Sequence, residues 1–364
     1  MVLIKELSSD AKLNVAERPT LQKISYEGNL GRRITTELYN ILYHNGPGNG
    51  TMLILPFDHL FGTGVGHTLS WDQCADPRAV IELANRGNFS ALALSIGQAE
   101  KYQNLIRSDL PLIIKVDGSF LTGIEVKNPT HSAMSSVERA IKAGANAIGC
   151  FISIGNEKTE QDVVRVSKII EEAHQHGKPV FLWAYAQGLM PEEMGADSLF
   201  WCAQCVSVAE SLGADVVKQK FPVPIKGEKL QAYKKNLLGI EKEGIFQPSF
   251  LKSRMSEVDQ LLELEPEDPD NVSFELNVKR LSFMSKVAPN LLKGISGGPK
   301  GSEEKLLNTT KAIMSSGIEG QIAGRNLWSR PMSEALELNK KMTDIMSEKQ
   351  YHRKLTEPRF SGNY

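Results

Sequence analysis

The chain has 364 residues, 42 basic and 43 acidic, is 41% hydrophobic and carries a formal net charge of -1. This is ordinary globular composition with apolar material for a large core, and its balanced charge gives no general pull toward nucleic acid or an anionic membrane. Any anion it binds must therefore be held locally.

The opening MVLIKELSSDAKLNVAERP interrupts every apolar stretch with charge, and no apolar run of roughly 18 residues follows. Neither a secretory signal nor a membrane span is expected, and the reading is a soluble cytoplasmic protein. Cys74, Cys150, Cys202 and Cys205 are too few and too scattered for a disulfide framework. Cys202 and Cys205 form a C-x-x-C within a helix-like segment, LFWCAQCVSVAESLGA, and without a second pair they read as buried helix cysteines.

Residues 1–50 form an N-terminal extension that ends in the turn-rich HNGPGNG. From residue 51, short β-rich apolar runs alternate with helix-patterned segments. The runs are 51–57, 91–97, 112–117, 147–153, 180–185, 216–220, 291–298 and 320–326, eight in all. Continuous apolar strands joined by helical crossovers predict a parallel sheet buried on both faces, and eight such units close a (β/α)8 TIM barrel. The helices before several strands end in glycine hinges, as in VERAIKAGANAIG, VAESLGADVV and IMSSGIEGQIAG.

A barrel of this kind takes about 250 residues, so roughly 110 are left over. They fall in the extension and in a long insertion between strands six and seven, about residues 222–290, where ELEPEDPDN reads as an exposed excursion. The barrel is expected over 51–345 and a C-terminal tail over 346–364.

Residues at the C-terminal ends of barrel strands face the catalytic mouth. Those ends carry Asp58 and His59, Lys115 and Asp117, Trp183 and Tyr185, Lys218 and Lys220, Ser296 with Gly297 and Gly298, and Gly324, Arg325 and Asn326. Lys218 and Lys220, two apart, leave one face of their strand. A lysine buried beside a second cation loses proton affinity, and the neutral amine attacks carbonyls. The alternative is that both lysines lie at the rim and snorkel to water. Tyr185 can move protons if a nearby ammonium lowers its pKa, or it is a hydrogen-bonded interior aromatic. Asp58 orients a hydroxyl or caps the following loop, and Lys115 is a ligand cation or the partner of Asp58.

The glycine turns at strands seven and eight stand where many barrels hold a phosphate, with Arg325 available for a charge-assisted contact, although glycines also simply make tight turns. His59 and His67 lie in the first loop, while His174 and His176 precede strand five at the opposite end, so no metal-ligand cluster is expected.

FDH at 57–59, WAY at 183–185, GADVVKQK at 213–220, SGGPK at 296–300 and AGRN at 323–326 together resemble the archaeal-type, or DhnA-type, class I fructose-bisphosphate aldolases. The resemblance runs from about residue 51 to 345, and the longer bacterial branch of that family shares the extension and the insertion. It implies a metal-free enzyme that cleaves fructose 1,6-bisphosphate through a lysine Schiff base, as a ring-based homo-oligomer such as a decamer. Lys218 matches the Schiff-base lysine, Tyr185 the acid/base tyrosine and Asp58 the active-site aspartate. Ser296, Gly297, Gly298, Gly324 and Arg325 match the phosphate-binding groups. Apart from that match, Trp183, Lys115 and Lys220 are expected to line the substrate site, with Lys220 tuning the field around Lys218.

Two places depart from the family. Gln187 stands where the family often has arginine, and the first loop reads DHLFGTGVGH. Both loops touch substrate there, so the departures bear on preference among phosphorylated sugars. The alternatives are a transaldolase-like or thiolase-like enzyme on another phosphorylated ketone, and a non-catalytic phosphosugar-binding barrel.

Overall fold

The computed structural model of the chain describes residues 28–59, 76–119, 131–238, 261–298 and 300–353. His67, most of the first loop and residues 239–260 of the insertion lie outside the described residues.

Eight parallel strands close a barrel: β1 (Met52–Phe57), β2 (Ala91–Ser95), β3 (Leu112–Lys115), β6 (Ala147–Ile154), β7 (Val180–Ala186), β8 (Val216–Gln219), β9 (Leu292–Ser296) and β10 (Gly320–Ile322). Their order around the barrel follows the chain, and β10 closes on β1 through Met52↔Gly320 and Ile54↔Ile322. The expected (β/α)8 fold is present, with the insertion between β8 and β9. Gly144, Gly213 and Gly317, the expected hinges, have φ of 89°, 85° and 87°, a left-handed conformation that stops each helix and turns the chain into the next strand.

Each strand buries both faces. Outward Leu53, Leu55, Val217 and Ile295 pack under the helices, whereas inward Met52, Ile54, Ala91, Ala93, Phe181 and Val216 form a second cluster inside the barrel. That inner cluster also takes in Ile34 and Leu38 of helix α1 (Gly28–Tyr39) and Ile41 and Leu42 of the π-helical turn after it. Because these side chains meet residues at the starts of strands, α1 plugs the N-terminal end of the barrel. Glu37 of α1 fixes it there by accepting from Lys178 and from Asn146 Nδ2, the latter at 2.9 Å.

The structure corrects three expectations. Asp117 does not reach the mouth: it opens a hairpin of β4 (Asp117–Ser119) and β5 (His131–Ala133) that follows β3, and its buried carboxylate turns outward onto Arg165. Strand eight ends at Ile322, and Arg325 already begins a helical turn, Arg325–Trp328. ELEPEDPDN is exposed at Glu263, Glu267, Asp268 and Asp270, but Glu265 folds inward and meets the fully buried Arg280 at 3.0 Å. That ion pair anchors the insertion through the helix Phe274–Val287.

Cys202 and Cys205 are buried free thiols in the helix Leu199–Ser211. No helix among the described residues is long and apolar enough to cross a membrane.

Candidate active site

Strand alternation places Lys218. Val216 lies in the inner cluster, so the side chain two residues on also points into the barrel, in register with Trp183 on one side and Gly294 on the other. Lys218 is 7% exposed, and its Nζ lies 5.1 Å from the centre of the Trp183 ring. The indole has room because Gly149, opposite it, carries no side chain: a Cβ there would stand 3.1 Å from the ring. The π face offsets part of the cost of burying an ammonium but leaves its proton weakly held.

Burial pulls the Lys218 pKa down to about 8, with Lys115 and Arg325 adding to the fall and Asp58 opposing it. The second cation is thus Lys115, and Lys220 does not have that role. Lys220 lies just past the strand end, 38% exposed, and its Nζ pairs with Asp197 Oδ1 at 2.6 Å. A solvated, paired ammonium there has little influence on an amine deeper in the barrel.

Asp58 follows β1 two residues beyond inward Pro56 and meets Lys115 Nζ at 3.1 Å, both side chains buried. Lys115 is thus the ion-pair partner of Asp58. Burial alone would raise the Asp58 carboxyl, but the ammoniums of Lys115 and then Lys218 outweigh it and hold the group at about 2. Lys115 Nζ also stands 5.2 Å from the Phe151 ring centre and 5.6 Å from that of Trp183. Three charges therefore share one aromatic cup.

Tyr185 is the next inward residue after Trp183 on β7. Its pKa is raised, chiefly by burial and then by the Asp58 charge, against the hydrogen bond with the Ser296 hydroxyl. The expectation that an ammonium lowers it fails, since the nearby Lys220, 5.3 Å from the ring centre, is neutralised by Asp197. A phenol of this kind stays protonated and serves as a donor.

Ser296, Gly297 and Gly298 leave β9 beside Gly324 and Arg325 at the end of β10. Gly297 N–H donates to Ile322 C=O at 3.1 Å, and Trp328 Nε1 ties the second turn to strand one by donating to Pro56 C=O at 3.0 Å. Gly298 has φ of 68°, and a Cβ added to it would meet nothing within 4 Å. Burial lowers the Arg325 pKa, with Tyr185 opposing.

Phe151 was not expected in the site. It stands edge-on to Tyr185 at 5.2 Å and stacks on His131 at 4.5 Å. Its parity with Gly149 on β6 was the available signal. Beyond Gly149 the barrel ladder lacks a β3 partner, and side chains replace it. Asp117 accepts from Phe151 N–H at 3.1 Å, Arg165 Nη2 donates to Phe151 C=O at 2.6 Å, and Asp162 accepts from Ser153 N–H at 3.1 Å. Gln187 accepts from the Ser153 hydroxyl, which fixes its side chain. Asp197, in the loop after β7, carried no sequence signal. Among the described residues, no group of three or more His, Cys, Asp or Glu side chains could hold a metal ion.

An amine whose proton is loosely held, a protonated phenol and a glycine-lined turn beside a guanidinium make a site able to bind a phosphorylated ketone and attack its carbonyl. A family model described as "DeoC/LacD family aldolase" matches residues 52–253. The chain is 24% identical over 340 residues to a probable class 1 fructose-bisphosphate aldolase of Chlamydia muridarum, covering 89% of this chain and 88% of the relative. It is 25% identical over 299 residues to a class 1 fructose-bisphosphate aldolase of Thermoproteus tenax, covering 82% and 90%. A solved archaeal fructose-1,6-bisphosphate aldolase, with its catalytic lysine bound to the carbinolamine intermediate, shares the fold at a TM-score of 0.64 and 22% identity, over 85% of this chain and all of that one.

Proposed function

Because the chain belongs to the DeoC/LacD family of aldolases, we propose that it is a metal-independent, Schiff-base fructose-bisphosphate aldolase. It cleaves fructose 1,6-bisphosphate reversibly to dihydroxyacetone phosphate and glyceraldehyde 3-phosphate. The observation that carries this reading is the buried Lys218 amine with its pKa drawn down to about 8. That leaves about a tenth of the amine neutral at pH 7, against roughly one part in three thousand at the ordinary lysine value.

Neutral Lys218 adds to the C2 carbonyl. Tyr185 gives its proton to the carbinolamine oxygen, which leaves as water, and the iminium forms. As the C3–C4 bond breaks, the Tyr185 phenolate takes the C4 hydroxyl proton so that the aldehyde leaves, and the electron pair of the bond flows into the iminium and leaves an enamine, so a protonated imine takes the place of a Lewis acid. Tyr185 then protonates the enamine carbon, and water releases the ketone. Asp58 and Lys115 orient the substrate hydroxyls, Trp183 walls the cup, and Lys220 holds the Asp197 carboxylate beside Tyr185. The turns at Ser296 to Gly298 and Gly324 to Arg325 take a phosphate.

Borohydride with fructose bisphosphate should add a reduced adduct to the Lys218 peptide, and EDTA should leave turnover intact. An unmodified protein, or loss of activity in EDTA, overturns the reading. A second reading, the same chemistry on another phosphorylated ketone, is favoured by uncharged Gln187 tied to Ser153. Parallel assays of such ketones separate the two. Assembly as a ring-shaped homo-oligomer follows the same resemblance, and light scattering reads its mass.

A further inference from the structure

We propose that Asn326 is a positioning residue of the phosphate cradle: its side-chain amide sets the Gly297–Gly298 peptide and so aims the Gly298 N–H at the anion. The proposal rests on the phosphate reading given above.

A cradle built of glycines has a weakness, since nothing in a glycine backbone resists rotation of the peptide between two of them. Asn326 supplies that resistance. It is 2% exposed, and its amide spans the turn: Nδ2 donates to Gly297 C=O at 2.6 Å and Oδ1 accepts from Gly301 N–H at 2.9 Å. Arg330 braces the bracket from behind, with Nε donating to Asn326 C=O and Nη2 to Gly301 C=O, both at 2.8 Å.

In a planar trans peptide the C=O and the N–H point in opposite directions. With the Gly297 C=O drawn onto Asn326, the Gly298 N–H must face away from it. Among the described residues that N–H has no backbone hydrogen-bond partner, and a Cβ added to Gly298 would meet nothing within 4 Å. If the peptide turned over, a carbonyl oxygen would replace the N–H, and like polarity would repel the phosphate. Arg325 is adjacent in sequence, so Asn326 also ties the guanidinium-bearing turn to the glycine-bearing one across the gap between strands nine and ten.

The test traps the Lys218 adduct with borohydride over a range of dihydroxyacetone phosphate and, in parallel, of unphosphorylated dihydroxyacetone. The proteins are wild type, Asn326→Ala and Asn326→Asp. The aspartate keeps the shape and the acceptor for Gly301 but sets an oxygen against Gly297 C=O. Both variants should need ~10- to 100-fold more of the phosphorylated ketone for half-saturation, the scale of a misplaced binding group, while the concentration dependence for dihydroxyacetone stays as in wild type. Wild-type saturation by the phosphorylated ketone in both variants overturns the proposal, as does an equal loss with both ketones, which would mark general damage. If wild type itself makes no distinction between the ketones, the phosphate reading falls and takes the proposal with it. A wild-type preference that survives in both variants refutes Asn326 alone.

Discussion

The Lys115 ammonium lies 3.1 Å from the Asp58 carboxylate inside the barrel, so the anion that favours a charged Lys218 is shared with a second cation. Burial keeps the Lys218 pKa near 8, with Lys115 and Arg325 adding to the fall against the pull of Asp58.

Removing either member of that pair should move the pH profile of adduct formation, in opposite directions. Lys115→Met deletes a cation and frees the Asp58 charge, so Lys218 holds its proton more tightly, the midpoint rises from about 8 and the rate at pH 7 falls. Asp58→Asn deletes the opposing anion, and the midpoint falls. Borohydride trapping from pH 6 to 10 reads both, and two shifts of the same sign refute the account.

Each of those changes also leaves a buried charge without its partner, which costs about 3–5 kcal/mol in comparable pairs. Urea midpoints should drop accordingly. Acid has a related effect. The Asp58 pKa is about 2 in the folded protein and ordinary when unfolded, so its contribution to stability is present above the ordinary value and fades as pH falls through about 2. Asp58→Asn should flatten that part of the stability profile.

Lys218→Met should abolish the adduct yet leave the fold intact. In the folded state the Lys218 pKa is depressed, so its charged form is disfavoured by folding, and stability gains as pH rises between about 8 and 10.5. The methionine variant should be as stable as wild type or more stable at pH 7, with that gain absent. A large drop in its unfolding midpoint would show that the charge supports the fold.

Tyr185→Phe keeps the aromatic packing against Phe151 and removes the proton donor. Turnover should fall by ~10²–10⁴, the usual contribution of a positioned acid, while substrate concentration dependence changes little. Rates within a few-fold of wild type would assign the proton transfer elsewhere.

Glu265→Gln tests the insertion. Arg280 is fully buried and pairs with Glu265, so the neutral residue should destabilise the chain by about 3–5 kcal/mol. An unchanged urea midpoint would show that the pair does not anchor this segment.

Parity and spacing made much of the site legible. The apolar runs counted out eight strands, the glycine hinges marked helix ends, and Val216 to Lys218 to Lys220 revealed a common face. The aromatic wall was missed at Phe151, which reads as one more apolar residue of a strand. Asp117 was misplaced because a hairpin begins where the apolar run still continues.

What the sequence determined by itself is local: alternation decides which side of a strand a residue leaves, and a glycine decides where a helix can stop. Which charges meet was decided by tertiary structure alone. Lys218 and Lys220 are two residues apart and separate into a buried amine and a rim ion pair, whereas Asp58 and Lys115, 57 positions apart, close to 3.1 Å. Closing the barrel brings distant strand ends into one poorly solvated space. Charge interactions depend on distance and burial there, and neither quantity is written along the chain.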